Sequence, residues 1–256
     1  GAFPAVASAI LLRYLAMIHE QNAVPGRANK ILAKFVKKIA ISFPAAARYF
    51  NEHKTVLTGC PCRLSQRPMD RAAIVRAFGL KDNKTTIFVF GGSQGSHSIN
   101  EAFAACVPSL REILDFQAIH VSGKDDYLSL KDRYNEFGIP FALFDFLDKM
   151  EEAYHIADVV ISRSGAATVS ELAHFRLPSI LIPYPHAQGH QRENASVLCQ
   201  AGLAQMIEER DVTVSKMSEA ILRILKDGKN INRKFDQICF PDAAQRLARE
   251  VTGLAQ

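Results

Sequence analysis

The 256-residue sequence lacks the features that mark several classes of protein. No apolar run approaches the roughly 20 residues of a membrane-spanning helix, so an integral membrane protein is not expected. The five cysteines are odd in number and scattered, which provides no disulfide framework and fits a reducing compartment. There is no repeat at a solenoid period. The 48% hydrophobic and 22% charged content is typical of a soluble globular protein and argues against disorder.

Acidic residues are scarce in the first quarter of the chain. Residues 1–63 hold 9 Lys/Arg against 2 Asp/Glu, a net charge of +7, whereas residues 64–256 hold 22 against 24. This asymmetry predicts a polyanionic partner for the first segment. No nucleic-acid recognition module is present, so nucleic acid is not expected. The lysines at 30, 34, 37 and 38 form either a solvated helix face or a face toward an anionic membrane.

The sequence begins without Met and without a polar lead-in. Gly1 to Pro4 run directly into the apolar stretch Ala5–Leu12, and Arg13 follows it. A secretory signal has its basic residues before the apolar stretch, so this is the wrong order for one. We therefore expect an internal helix and a chain that starts inside a domain.

Short apolar runs alternate with helical patterns along the whole chain. Runs such as Ile87–Phe90 and Val159–Ile161 are apolar on both faces, as expected of parallel strands covered by helices on each side. The first quarter predicts helix 4–14, strand 16–19, helix 27–37, strand 38–42, helix 44–50 and strand 55–58. Six further strands, each followed by a helix, are predicted at 87–90, 117–121, 141–144, 159–161, 179–182 and 204–207. This alternation predicts an α/β fold with a doubly wound sheet.

Two turns rich in Gly and Ser follow predicted strands and lead into helices. They are Gly91–Gly95 (Gly-Gly-Ser-Gln-Gly) and Ser162–Glu171. The N–H groups at a helix start form an anion site, so the pair predicts a nucleotide crevice. The alternative for the first turn is a tight connection without a ligand. In the second, Thr168 or Ser164 caps the helix and Glu171 lies in its first turn, or Glu171 accepts ribose hydroxyls.

Polar residues also follow two other predicted strands, at 19–26 and at 183–194, where His190, Gln191 and Asn194 open helix 190–201. These segments either line a cleft or are solvated loops and helix caps. A metal site on His186 and His190 lacks a third ligand. The Cys60–Cys62 pair is likewise too short for a zinc site.

Taken together and in order, these segments resemble the peptidoglycan N-acetylglucosaminyltransferases of glycosyltransferase family 28. The matching signatures are His-Glu-Gln-Asn-Ala-Val-Pro-Gly at 19–26, Thr-Gly-x-Pro-x-Arg at 58–63, Gly-Gly-Ser-Gln-Gly at 91–95, Arg-Ser-Gly-Ala-x-Thr-Val-Ser-Glu at 163–171 and Pro-Tyr-Pro-His…His-Gln…Asn-Ala at 183–195. The resemblance implies a GT-B fold, with a complete Rossmann-like C-terminal domain and the second half of an N-terminal one. Residues 1–64 would form the acceptor and membrane-facing part, 65–240 the donor-binding domain, and 241–256 a helix returning to the first part.

The resemblance also implies a binding site for UDP-N-acetylglucosamine and no metal or cofactor. Ser93 would contact the diphosphate, Leu147 the uracil, Glu171 the ribose hydroxyls, and Asn22 and Gln191 the sugar. The full implied set is Asn22, Arg63, Ser93, Leu147, Ala166, Ala167, Thr168, Val169, Ser170, Glu171 and Gln191. The family's candidate general base lies in a glycine-rich loop, Gly-Gly-Thr-Gly-Gly-His, that this sequence does not contain. The catalytic base is therefore left unassigned.

The implied activity is an inverting transfer of N-acetylglucosamine to lipid I (undecaprenyl-pyrophosphoryl-N-acetylmuramyl-pentapeptide), giving lipid II in peptidoglycan synthesis. The enzyme would be peripheral at the cytoplasmic face of the bacterial inner membrane and would serve cell shape and division. Without the glycine-rich loop, this chain is expected to bind donor but to catalyse poorly alone. Two alternatives stay open: another GT-B UDP-sugar enzyme (an epimerase or a transferase), and a non-catalytic nucleotide-sugar-binding half that needs a partner chain.

Overall fold

A computed structural model describes residues 3–12, 14–62, 69–227 and 238–254. The first part contains α1 (Phe3–Leu11), β1 (Met17–Glu20), α2 (Arg27–Leu32), β2 (Lys38–Ile41), two 3-10 helices (Pro44–Tyr49 and Glu52–Lys54) and β3 (Thr55–Leu57). The second part begins with α3 (Arg71–Ala77), β4 (Thr85–Phe90), α4 (His97–Leu110), β5 (Phe116–Val121), α5 (Tyr127–Phe137), β6 (Phe141–Phe144) and α6 (Met150–Ile156). It continues with β7 (Val159–Ser162), α7 (Ala166–Phe175), β8 (Ser179–Leu181), α8 (His190–Gln200), β9 (Ala204–Met206), a 3-10 helix (Glu209–Asp211), α9 (Val214–Asp227) and α10 (Ala243–Thr252).

The larger sheet has six parallel strands in the order β6-β5-β4-β7-β8-β9. Its central strand β4 is apolar on both faces: Ile87 and Val89 pack into one core cluster, Phe88 and Phe90 into the other. The chain runs outward from β4 through β5 to β6, then returns to start β7 on the other side. Such a reversal opens a crevice at the carboxyl ends of the two neighbouring strands. The doubly wound α/β sheet predicted from the sequence is confirmed.

The smaller sheet has three parallel strands in the order β1-β2-β3, with Met17 paired to Lys38 and Ile39 to Thr55. Its core cluster is small and consists of Ile18, Leu32, Val36, Ile39, Ile41 and Ala46. The Lys38 ammonium forms an ion pair with the Glu250 carboxylate, which ties α10 to this sheet. Within the described ranges, no helix is both long and apolar enough to cross a bilayer.

The predicted helix over 27–37 is wrong beyond Leu32. The next residues form turns, and the Lys37 N–H donates to the carbonyl of Ala16 at 2.9 Å, which starts the pairing between β1 and β2. The chain must leave the helix axis here to enter the sheet. Of the apolar residues in this segment, Ile31 and Phe35 are 49% and 62% exposed. The segment predicted as helix 44–50 is a 3-10 helix ending at residue 49.

Candidate functional site

The turn after β4 needs glycine because it packs against neighbouring backbone. A Cβ at Gly91 would lie 2.3 Å from the Ser96 backbone nitrogen, and one at Gly95 would lie 2.2 Å from the Ser122 carbonyl oxygen. Gly95 also has a φ of +76°, in the left-handed region that disfavours other residues. Ser93 is exposed in this turn, which leads into the N-terminus of α4. The close packing therefore presents Ser93 and the start of α4 at the crevice edge.

The turn after β7 begins α7 at the same edge of the sheet. Gly165 is the N-cap and no side chain caps the helix, so the predicted capping by Thr168 or Ser164 is wrong. The Ser164 hydroxyl instead donates to the Gln191 carbonyl at 2.8 Å. The first N–H groups of α7 are thus left to bind an anion. Val169 is fully buried in the core, so its side chain is not available to a ligand.

Arg163 joins the two turns, although it is not among the site residues predicted from the motifs. Its guanidinium donates to the hydroxyls of Ser96 and Ser98 at 2.8 and 3.1 Å and to both carboxylate oxygens of Glu209 at 2.9 and 3.0 Å. It also donates to two carbonyls of the loop after β8. The pairing with Arg163 lowers the pKa of Glu209. A charged residue directly after an apolar strand was the available sequence signal.

Glu171 lies in the second turn of α7, so the prediction that it occupies the first turn is wrong. Its Oε2 accepts a hydrogen bond of 2.8 Å from the hydroxyl of Tyr154, which is buried on α6. Burial raises the pKa of Glu171, and the Tyr154 bond partly opposes that shift. The carboxylate is therefore held by α6 rather than interacting with the N-terminus of α7.

The loop after β1 is organised around the buried carboxylate of Glu20. Its Oε1 accepts from the backbone and side-chain nitrogens of Asn22 at 2.8 and 3.1 Å. Its Oε2 accepts from the Gly26 N–H and the Asn29 amide at 3.1 and 2.8 Å. Four donors at one carboxylate fix the loop and the orientation of Asn22.

Asn194 on α8 connects this loop to the larger sheet. Its Oδ1 accepts from the Ala23 N–H at 2.8 Å, and its Nδ2 donates to the Asn22 Oδ1 at 3.1 Å and to the Ser164 carbonyl at 3.3 Å. Gln191, one turn earlier, accepts from the Ser164 N–H at 3.3 Å. The structure therefore brings Asn22 and Gln191 into one hydrogen-bonded cluster, although Asn22 follows a strand of the smaller sheet and Gln191 lies on a helix that packs on the larger one.

Three further predicted site residues lie away from these two turns or outside the described residues. Leu147 is half-buried in the loop after β6, two strands from β4. Ser170 bonds to the Ala166 carbonyl at 2.9 Å and lines a cavity of about 470 Å³ with Cys60, Cys62 and His174. Arg63 lies outside the described residues.

The two sheets, each of parallel strands flanked by helices, and the crevice at the β4–β7 reversal define a protein of the GT-B class. Family comparison agrees: residues 86–247 match the glycosyltransferase family 28 C-terminal domain, and residues 1–41 match the N-terminal domain of the same family. The chain belongs to glycosyltransferase family 28, and the resemblance read from its motifs is confirmed.

Two similar curated proteins are each named UDP-N-acetylglucosamine–N-acetylmuramyl-(pentapeptide) pyrophosphoryl-undecaprenol N-acetylglucosamine transferase. The Halothermothrix orenii protein is 38% identical over 240 residues, which are 90% of this chain and 65% of that protein. The Geotalea daltonii protein is 35% identical over 98% of this chain and 69% of its own length. The chain thus spans about two thirds of the length of these relatives.

Solved structures show the same fold. The crystal structure of Acinetobacter baumannii MurG matches with a TM-score of 0.80 at 24% identity, covering 98% of this chain and 71% of that one. A UDP-GlcNAc 2-epimerase from Neisseria meningitidis bound to UDP-GlcNAc matches with a TM-score of 0.66 at 9% identity, covering 98% and 73%. The expected GT-B architecture is confirmed.

Proposed function

We propose that the chain binds UDP-N-acetylglucosamine in the β4–β7 crevice and acts in the transfer of its N-acetylglucosamine to lipid I, giving lipid II in peptidoglycan synthesis. One observation carries the binding proposal: α4 and α7 begin after the neighbouring strands β4 and β7, and Arg163 of the β7 turn donates to Ser96 and Ser98 at the start of α4. Paired helix N-termini present N–H donors to a diphosphate. The proposed identities of the sugar and of the acceptor are taken from the names of the relatives.

The donor is proposed to lie along the crevice in the order of the residues around it. The uracil would contact Leu147, the ribose hydroxyls Glu171, and the diphosphate Ser93 on the α4 side. The α7 side of the diphosphate site would use Ala166, Ala167 and Thr168, with Val169 and Ser170 beside them. The sugar would reach Asn22 and Gln191, and Arg63 would complete the donor site.

The proposed reaction inverts the configuration at the sugar C1. The acceptor 4-hydroxyl attacks C1, its proton goes to a base, and the bond from C1 to the UDP oxygen breaks. Negative charge then develops on the departing diphosphate. Preorganised N–H and hydroxyl donors at helix starts stabilise such charge, and no metal or cofactor is required. The base is not assigned to a residue of this chain.

We further propose that residues 1–64 form the acceptor and membrane-facing part, 65–240 the donor domain, and 241–256 a helix that returns to the first part. The protein would bind peripherally at the cytoplasmic face of the inner membrane. The exposed Ile31 and Phe35 lie in a segment that also carries Lys30, Lys34 and Lys37. Apolar side chains beside lysines are suited to an anionic bilayer surface, where each Lys contributes about 1 kcal/mol.

Isothermal titration calorimetry tests the donor proposal. We expect heat with UDP and UDP-N-acetylglucosamine and none with ADP, and the absence of heat with uridine nucleotides would contradict the proposal. Incubation with UDP-N-acetylglucosamine alone separates the alternatives, because an epimerase releases an altered UDP-sugar without acceptor. A transferase needs lipid I. A binding half that needs a partner chain would bind UDP yet give no lipid II.

Vesicle sedimentation tests the membrane surface. We expect binding to vesicles that contain phosphatidylglycerol, weaker binding to pure phosphatidylcholine, and loss of both in Phe35→Asp. Leu128→Asp is the matched control. Leu128 is also an exposed apolar residue, at 72%, but it lies on α5, which belongs to the part of the chain with the larger sheet. Equal losses in both variants would contradict the assignment of the surface.

A further inference from the structure

We infer that Tyr154 is a positioning residue for the donor: its hydroxyl holds the Glu171 carboxylate in the orientation that receives the ribose hydroxyls. This rests on the proposed function, in which Glu171 contacts the ribose. The two residues lie on neighbouring helices, Tyr154 on α6 and Glu171 on α7, and their hydrogen bond measures 2.8 Å. Because Tyr154 is 2% exposed, it acts through Glu171 rather than through a surface of its own.

The Tyr154 ring is fixed on several sides. It stacks on Phe175 with centroids 5.1 Å apart, and it meets Phe88 and Phe90 edge-on at 5.4 and 6.0 Å. Phe88 and Phe90 belong to β4, the strand that leads into Gly91–Gly95. The hydroxyl therefore stands at a position set by the same strand that carries the proposed diphosphate turn. A carboxylate that is hydrogen-bonded to this hydroxyl therefore stays at a fixed distance from that turn.

The hydrogen bond also has a defined direction. Burial and the nearby Glu171 raise the pKa of Tyr154 well above its usual value, so the phenol keeps its proton and donates. The donated bond occupies one lone pair of Oε2, and a carboxylate has about four acceptor positions. The carboxylate can thus accept from Tyr154 and from a vicinal diol together. Without the phenol it would be free to rotate and would pay for ordering when the donor binds.

The test compares UDP with 2′,3′-dideoxy-UDP, which lacks both ribose hydroxyls, as ligands of the unchanged chain and of Tyr154→Phe. We expect the variant to bind UDP about tenfold more weakly, the typical effect of a hydrogen bond to a charged group. Binding of the dideoxy nucleotide should stay unchanged. A structural defect would weaken both ligands, so this ratio separates positioning from folding.

Two further variants complete the experiment. Tyr134→Phe is the matched control, because this buried hydroxyl lies 2.9 Å from His120 Nδ1 in the other core cluster, and the ligand ratio should not move. Glu171→Gln should lose the preference for UDP, and adding Tyr154→Phe to it should cost nothing more. If Tyr154→Phe weakened the binding of both nucleotides equally, or of neither, the inference would be overturned but the proposed function would not. Failure of the unchanged chain to bind UDP would overturn the proposed function and the inference with it.

Discussion

At the scale of single residues, Arg163 is the strongest candidate for a large effect. Replacing it with Met should lower the free energy of unfolding by about 3 kcal/mol, because the Glu209 carboxylate, only 23% exposed, loses its bidentate partner. Urea unfolding measures this change. UDP binding should weaken as well, since Ser96 and Ser98 lose the contact that holds the start of α4 beside the β7 turn.

An exposed ion pair provides the comparison for Arg163. Arg71 pairs with Asp82 at 3.3 Å, but the two side chains are 39% and 61% exposed. Arg71→Met should therefore cost less than about 1 kcal/mol. Combining Arg163→Met with Glu209→Gln should cost less than the sum of the two single changes. Additive losses, or similar losses for Arg163 and Arg71, would show that the buried pair does not act as a unit.

His120 should make stability depend on pH. It is fully buried between the Tyr134 hydroxyl and the Asn100 side chain, and burial lowers its pKa to about 3. An unfolded His has a pKa of about 6.5, so between these values the unfolded chain binds a proton that the folded chain does not. Stability from this group is complete above pH 6.5 and falls as the pH drops toward 3.

The measurement is urea unfolding of the unchanged chain and of His120→Gln at several pH values between 6.5 and 4. We expect the variant to be less stable at pH 7. Its free energy of unfolding should also change less steeply with pH, by up to about 1.4 kcal/mol per pH unit. The Asp and Glu side chains are the same in both proteins, so their contributions to the pH dependence cancel in the comparison. Parallel curves would mean that His120 becomes protonated in the folded state.

The positions of site residues along the chain were predictable, but their partners were not. The turns that carry Ser93 and Thr168 follow neighbouring parallel strands, whose carboxyl ends share one edge, as the crevice predicted from these two turns requires. The partner of Arg163 is 46 residues away and that of Glu171 is 17 residues away on another helix. Such pairs depend on how helices pack, which periodicity alone does not specify. The roles of the individual site residues toward a donor remain predictions.

At the scale of elements, the turn after β4 should tolerate little change. Gly79 and Gly95 both have positive φ, +70° and +76°, but only Gly95 faces backbone, with its built Cβ 2.2 Å from the Ser122 oxygen. Gly79→Ala should therefore cost only about 1–2 kcal/mol of conformational strain. Gly95→Ala should cost more and should weaken UDP binding. If Gly79→Ala and Gly95→Ala lowered stability equally and weakened UDP binding equally, the role of close packing at this turn would be contradicted.

The strands were easier to predict than the helix ends. Ile87–Phe90 and Val159–Ile161 are apolar on both faces, and the structure places them in the buried centre of the larger sheet. The end of α2 was missed because the apolar pattern of Leu32, Val36 and Ile39 continues at helical spacing after the helix stops. Leu32, Val36 and Ile39 all enter one core cluster by different local conformations. A periodic pattern therefore located the core but not the change in backbone.

At the scale of the whole molecule, the two sheets are joined by hydrogen bonds that cross between them. Asn194 on α8 and the loop after β1 are more than 170 residues apart in the chain, yet three atoms of that loop and of the β7 turn bond to this one side chain. His190 adds a bond of 3.0 Å to the Val24 carbonyl. The motifs placed both segments at strand ends. Only the folded structure shows them in contact.

Asn194→Leu should loosen this junction. The substitution keeps a similar volume but leaves the Ala23 N–H and the Ser164 carbonyl without their partner, at a cost of about 2–3 kcal/mol. Hydrogen exchange should show early loss of protection at the Ala23 amide, beyond the loss at amides in the centre of β4. Ser196→Ala is the control within the same helix, because its hydroxyl bonds only to the Arg192 carbonyl one turn back among the described residues. An Ala23 amide that keeps its protection while β4 loses its own would mean that Asn194 stabilises the larger sheet alone and that other contacts join the two sheets.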